Sequence, residues 1–115
     1  MKFSATSLIL SAALVSFAGL TTTAHAAVDA DAAQAMFKKN GCNKCHDPVK
    51  NKKGPSLSKI AAKYKGKADG EASITKNITT GPKVKFDDGS EDEHKIIDTK
   101  DPKELKNIAD WILSN

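Results

Sequence analysis

Apolar residues recur at helical spacing in four short segments after residue 26, most clearly in the C-terminal one. The apolar face of that segment comprises Leu105, Ile108, Ala109, Ile112 and Leu113. Residues three or four positions apart share one face of a helix, so the spacing predicts an amphipathic helix with Trp111 on the border of its apolar face. Asp101 suits the N-cap, Pro102 the first helical position, and Glu104 completes a capping-box-like arrangement.

Three shorter helices are predicted before it. The first covers about residues 31–40, and the second, at about 56–64, repeats apolar residues at helical spacing. The third covers about 70–80 and ends at Gly81, which is followed by proline in a common stop signal. No strand of note is predicted. We therefore expect an all-α fold of about four helices, in which the first helix packs on the last through Phe37.

The N-terminal residues have the pattern of a secretory signal peptide. Lys2 is the charged start, residues 8–20 form an apolar stretch, and Ala24-His25-Ala26 is a small-x-small cleavage site. The stretch is shorter than the about 20 apolar residues that span a bilayer, so a permanent transmembrane helix is the less favoured interpretation. We expect a cleaved signal at 1–26 and one soluble, exported domain at 27–115.

Composition indicates that this small domain needs a bound group. A core of that size stabilises a fold only weakly, and aromatic residues make up 5% of the chain. The two cysteines permit at most one disulfide, which would close a ring over two intervening residues and constrain little of the unfolded chain. A cofactor is the better supplement.

Charge is distributed unevenly along the chain. All 18 basic residues are lysine, and ten of them lie within 38–67 beside a single acid, Asp47, whereas residues 87–93 contain five acids and no lysine. Such a positive region can steer association with an acidic partner, although a surface that only aids solubility gives the same pattern. Nucleic-acid binding is not expected, because the lysines are not interleaved with aromatic residues and arginine is absent.

The segment Cys42-Asn43-Lys44-Cys45-His46 matches C-x-x-C-H, the pattern for covalent attachment of haem c. Two thiols three positions apart lie on nearly the same side of a helical turn, so both reach the vinyl groups on one porphyrin edge. The next residue then brings its imidazole to the iron. The motif predicts one covalent haem c with its iron, attached through Cys42 and Cys45, with His46 as one axial ligand.

Three other interpretations of the motif are weaker. A thioredoxin-like redox pair requires a surrounding βαβ pattern, which this chain lacks. A zinc site requires four ligands, and the adjacent Cys45 and His46 suit one tetrahedron poorly. The third interpretation is a plain structural disulfide.

Several features together resemble the short bacterial class I cytochromes c over nearly all of residues 27–115. They are the motif after a Phe-containing helix, Gly54-Pro55, the Ile-Ala-Ala-Lys-Tyr run at 60–64 and the closing Ala-Asp-Trp-Ile-Leu at 109–113. The resemblance implies N- and C-terminal helices that cross around Phe37 and Trp111, beside a largely buried haem with one exposed edge. It also implies that the carbonyl of Pro55 accepts a hydrogen bond from His46 and so orients the imidazole.

The chain departs from that family at the second axial ligand. Those cytochromes usually carry a methionine in the loop before the last helix, whereas this sequence has none after Met36, which lies in the first predicted helix. The corresponding loop, residues 81–100, contains His94 near the position of the family's methionine. We therefore expect His94 to ligate the iron and to lower its potential relative to methionine. The alternatives are an open or water-filled sixth position, Asn77 and Lys83.

These observations favour a periplasmic, monomeric electron shuttle that is not an enzyme. Lysines near the haem edge would guide redox partners, namely Lys38, Lys39, Lys44, Lys50, Lys52 and Lys53. The alternative function is a haem-based gas binder or sensor, in which the sixth ligand is absent or detachable. His94 could then leave the iron, because the loop that carries it is polar and poor in packing residues. Weak peroxidase activity at an open iron is a third possibility, disfavoured because no dedicated acid–base pair is evident.

Overall fold

The computed structural model describes residues 26–115, so the expected signal peptide, except for its last residue, lies outside the described residues. Within 26–115 the chain forms four α-helices, one short 3₁₀ turn and one two-stranded hairpin. The helices are α1 Ala30–Lys39, α2 Leu57–Tyr64, α3 Gly70–Thr80 and α4 Pro102–Leu113; the 3₁₀ turn is Cys42–Lys44; the strands are β1 Lys83–Lys85 and β2 Glu91–Glu93. The predicted four-helix architecture is confirmed. No helix in the described range is long and apolar enough to cross a membrane.

The N-terminus of α4 is capped by Asp101, as predicted, whereas Glu104 contributes to the cap in a different way. Asp101 accepts a hydrogen bond from the backbone N–H of Lys103 at 2.9 Å. Glu104, expected to complete a capping box directly, instead accepts a hydrogen bond from the hydroxyl of Thr99. The Thr99 oxygen in turn accepts the backbone N–H of Asp101 at 3.2 Å. Thr99 therefore relays the contact that a direct capping box would make.

The core lies where α4 crosses the other helices. Phe37 of α1 and Trp111 of α4 pack edge to face, with ring centres 5.4 Å apart. Trp111, expected at the border of the apolar face, is only 8% exposed, because α1 covers that border. Ile108 and Ala109 of α4 are also buried in this core. The predicted packing of the first helix on the last through Phe37 is confirmed.

The side chain of an asparagine connects each end of α1 to a distant part of the chain. Asn107 of α4 accepts the N–H of Asp29 at 2.8 Å and donates to the carbonyl of Asp29 at 2.9 Å. Asn40, at the other end of α1, accepts the N–H of Asp98 at 2.8 Å and donates to the carbonyl of Met36 at 2.9 Å. These contacts maintain the crossing of α1 and α4.

The hairpin was not predicted, and it replaces part of the expected loop. Its register pairs Lys83 with Glu93 and Lys85 with Glu91. Lysines therefore face acids at both ends of the strands, an arrangement that favours pairing, in a segment expected to be a polar, loosely packed loop. The hairpin ends where the N–H of His94 donates to the carbonyl of Pro82 at 2.9 Å. His94 is therefore attached to an ordered hairpin.

Candidate functional site

A cavity of about 810 Å³ lies between the cysteine-containing turn and the hairpin. Its volume falls within the about 300–1,000 Å³ typical of ligand and cofactor pockets. All five predicted site residues line it: Cys42, Cys45, His46, Pro55 and His94. Apolar side chains from the core line its interior, including Phe37, Leu57, Ile74, Ile78, Ile108 and Ile112. The fold thus gathers polar donors from two distant segments around one apolar cavity.

The two cysteines lie on a tight turn. Gly41 precedes it with φ of 70°, a left-handed conformation that glycine adopts without a Cβ clash. The N–H groups of Cys45 and His46 both donate to the carbonyl of Cys42, at 3.1 and 3.0 Å. Both thiols are free and half-buried. Burial is the main cause of the raised pKa of the Cys42 thiol, which distinguishes it from the acidic thiols of redox catalysts.

The loop that follows the turn orients His46. Its Nδ1 lies 2.6 Å from the carbonyl oxygen of Pro55. Because a carbonyl only accepts, Nδ1 carries the proton and donates, which leaves Nε2 as the free nitrogen. This is the contact that the family resemblance implies. Gly54 permits it, since a Cβ there would lie 2.8 Å from Cε1 of His46.

His94 faces His46 from the other side of the site. Their ring centres are 6.0 Å apart and their planes are inclined by 43°. Nδ1 of His94 is buried and has no hydrogen-bond partner among the described residues. Burial, followed by the nearby His46, lowers the pKa of His94, while backbone groups of Lys95 and Asn77 act in the opposite direction. The neutral imidazole, the form that binds metals, is therefore favoured.

Comparison with known proteins gives a consistent result. A model of the cytochrome c family matches residues 30–115. Cytochrome c-551 of Pseudomonas denitrificans is 33% identical over 81 residues, covering 70% of this chain and 94% of that protein. Cytochrome c2 of Rubrivivax gelatinosus is 35% identical over 84 residues, covering 68% and 91%. The chain belongs to the cytochrome c family.

Similarity to a solved structure shows which class of cytochrome c this chain belongs to. The class 1 cytochrome MtoD from Sideroxydans lithotrophicus ES-1 superposes with a TM-score of 0.73 and 53% identity, covering 76% of this chain and 97% of that one. The protein is thus a small class I monohaem cytochrome c, an electron-transfer protein with one covalently attached haem c and its iron. The bound haem supplies a reversible one-electron ferric/ferrous couple.

The residues around the cavity suit that group. Two free thiols precede an imidazole whose Nδ1 is already hydrogen-bonded. A second imidazole, that of His94, lines the same cavity with its ring centre 6.0 Å from that of His46. No group of three or more His, Cys, Asp or Glu side chains in residues 26–115 forms a separate metal cluster. The donor set therefore favours haem over the zinc interpretation.

The other residues considered for the sixth position differ in their placement. Asn77 and Lys83 line the cavity beside His94, whereas Met36 does not. Met36 packs against the apolar core from α1, as expected for a core residue. Sequence reasoning missed several further lining residues from α2 and the hairpin, because only the tertiary fold brings them to the cavity. They are Lys59, Lys63, Tyr64, Val84, Phe86 and Lys95.

Proposed function

We propose that this cytochrome c is an exported, periplasmic, monomeric electron shuttle. In this proposal Cys42 and Cys45 attach the haem, while His46 and His94 ligate its iron on opposite sides. Export rests on the signal-like pattern of residues 1–26. The ligand assignment rests chiefly on one observation, the 6.0 Å separation of the two imidazole rings.

That separation suits two imidazoles that share one metal ion. With an N–metal bond of about 2 Å on each side, the ring centres of two such ligands lie about 6 Å apart. Direct stacking of two aromatic rings is an alternative cause of proximity, but a tilt of 43° gives little face-to-face overlap. The lowered pKa of His94, which favours the neutral imidazole, gives further support. Among the three side chains at this wall, His94 is the best donor, because Asn77 offers a weakly coordinating amide and Lys83 extends from an exposed strand position.

The remaining residues of the site position these donors. The hydrogen bond to Pro55 holds the ring of His46 in one orientation and increases its basicity as a ligand. The bond between the N–H of His94 and Pro82 fastens the second donor to the end of α3. This anchoring disfavours the gas-sensor alternative, which required His94 to lie on a loosely packed loop.

We further propose that exposed lysines near the cysteine turn bind acidic redox partners. Two of the six lysines expected there are engaged with the protein itself. Lys52 donates to the carbonyl of Asn43 at 2.8 Å, and the ammonium of Lys53 lies over the ring of Phe86. The docking group is therefore the remaining four exposed lysines, Lys38, Lys39, Lys44 and Lys50.

Ultraviolet-visible and electron paramagnetic resonance spectra of the ferric protein test the ligand assignment. The wild type is expected to be low-spin with two nitrogen ligands, and His94→Ala is expected to lose that low-spin signal. Asn77→Ala is the control, since it removes another polar side chain from the same wall of the cavity. If His94→Ala leaves both spectra unchanged, His94 is not the ligand.

A further inference from the structure

At the mouth of the cavity, a contact between Lys53 and Phe86 joins the side that carries His46 to the side that carries His94. The Nζ of Lys53 lies 4.5 Å from the ring centre of Phe86. Lys53 directly precedes Gly54, in the loop that orients His46, whereas Phe86 directly follows β1 in the hairpin that carries His94. Both side chains line the cavity. The contact therefore runs from the His46 side to the His94 side.

The hairpin needs such contacts because it is weak by itself. Two strands of three residues do not form a stable structure alone in water, and all three residues of β2 are exposed. Phe86 is half-buried but does not belong to the apolar core around Trp111. A cation over an aromatic face is attracted by the ring quadrupole, more strongly when water is partly excluded. Asp88, in the turn of the same hairpin, adds a negative charge that attracts Lys53.

We propose that Lys53 and Phe86 form a clasp that holds the hairpin over the cavity and thereby keeps His94 at the iron. Both act as positioning residues, and the inference rests on the proposed role of His94 as a ligand. An external ligand reaches the iron on this side only after the hairpin moves and His94 leaves. The clasp should therefore slow the entry of small ligands.

The rate of cyanide binding to the ferric holoprotein, followed by stopped-flow absorbance near neutral pH, tests whether the clasp slows ligand entry. A partly exposed cation–π contact of this kind corresponds to about a two- to fivefold effect, so Lys53→Met and Phe86→Leu should bind cyanide faster by that factor. Lys53→Arg should restore the wild-type rate. Lys65→Met is the control, because it removes the same charge from an exposed lysine that does not line the cavity.

Hydrogen–deuterium exchange gives a readout that does not depend on iron ligation. The N–H of Phe86 donates to Ser90 and the N–H of His94 donates to Pro82. Both amides should exchange faster in Lys53→Met and not in Lys65→Met. Unchanged exchange at both amides overturns the clasp, whatever the cyanide rates are.

His94→Ala, measured in parallel, separates this inference from the ligand assignment. If His94→Ala binds cyanide no faster than the wild type, the ligand assignment is the part that failed, and the hydrogen exchange alone decides whether the clasp exists. If His94→Ala binds cyanide much faster while Lys53→Met matches the wild type, the clasp does not control His94 and the inference is wrong.

Discussion

Gly54 lies so close to His46 that a methyl group on its Cα would come within 2.8 Å of Cε1 of the imidazole. The same methyl group would lie 3.1 Å from Nδ1, the atom that donates to Pro55. No real Cβ tolerates the shorter of these contacts, so the ring must move if any side chain is added. The absence of a side chain at position 54 is therefore a requirement of the proposed haem site.

We expect Gly54→Ala to displace the imidazole of His46 and weaken its bond to Pro55. Overpacking of this kind typically costs about 1–3 kcal/mol, and here the strain falls on a proposed ligand. The ferric absorbance spectrum should change and the fraction of protein that carries haem should fall. Gly66→Ala is the control: its φ of 77° adds backbone strain, but nothing lies within 4 Å of a Cβ there, so it should lower stability without changing the ferric spectrum. An unaltered spectrum in Gly54→Ala would show that the site accommodates the methyl group.

Gly81 lies nearly as close to the backbone of His94 as Gly54 does to the ring of His46, so a side chain at position 81 would also be too close. It ends α3 with φ of 60°, and a Cβ there would lie 2.9 Å from the carbonyl oxygen of His94. Gly81→Ala should thus combine backbone strain of about 1–2 kcal/mol with displacement of the His94 backbone. Gly89→Ala carries comparable strain, because Gly89 has φ of 84°, but a Cβ there meets nothing within 4 Å. Denaturant unfolding and the ferric spectrum should both change more in Gly81→Ala than in Gly89→Ala. Equal effects would contradict a role for close packing at His94.

The proposed second imidazole should lower the midpoint potential. A thioether sulfur favours ferrous iron relative to an imidazole nitrogen, so His94→Met should raise the potential, by on the order of 100 mV. Spectroelectrochemical titration measures the change, and the thioether–iron absorbance band of the ferric protein shows whether the new sulfur has bound. A variant that shows this band but keeps the wild-type potential would contradict the expectation.

The lysine docking group should make electron transfer depend on salt. Oxidation of the ferrous protein by ferricyanide, an anion, should slow as ionic strength rises, because salt screens exposed charges. At low salt Lys44→Gln should slow this reaction by roughly twofold, because one attractive charge is lost. Lys100→Gln, an exposed lysine outside the docking group, should have a smaller effect. Rates that are independent of salt would remove the role assigned to these lysines.

Asn107 should contribute to stability through its two bonds to Asp29. Each protein hydrogen bond has a net worth of about 0.5–1.5 kcal/mol, so loss of both in Asn107→Ala should lower the free energy of unfolding by about 1–3 kcal/mol. Asn107→Asp keeps the oxygen that accepts the N–H of Asp29 but loses the amide donor. It therefore tests the accepted hydrogen bond separately from the donated one. Urea unfolding of the holoprotein followed at Trp111 measures both variants. No loss in Asn107→Ala would mean that water replaces the side chain without cost.

Local features of this protein were predictable because a few neighbouring residues encode them. The third helix was predicted at residues 70–80 and occupies Gly70–Thr80. The N-cap at Asp101 and the first helical position at Pro102 were also predicted correctly. The C-x-x-C-H spacing identified the cofactor, since two thiols for covalent attachment and an imidazole for the iron lie within five residues. In each case the relevant contacts span less than two helical turns.

The hairpin was not predictable by the same reasoning. Each strand has three residues, fewer than the alternation over four to eight residues that indicates a half-buried strand. The alternation in β1 is confined to Val84 between two lysines, and β2 contains no apolar residue. Its register depends on the pairing of residues up to ten positions apart and on the backbone bonds from Phe86 to Ser90 and from His94 to Pro82 at its two ends. The burial of Trp111 was missed for a related reason, because it depends on how closely α1 approaches α4.

The sequence by itself determined the four helices, the N-cap at Asp101, the covalent haem motif and the identity of the candidate second ligand. Only the tertiary structure decided how that candidate stands relative to the first, with His94 on an ordered hairpin and its ring 6.0 Å from that of His46. The reason is that periodicity and motif spacing describe residues close together in the chain. The distance between residues 46 and 94 is instead the outcome of the packing of the other helices on α4 and of the backbone bond from His94 to Pro82 after α3, which no short stretch of sequence specifies.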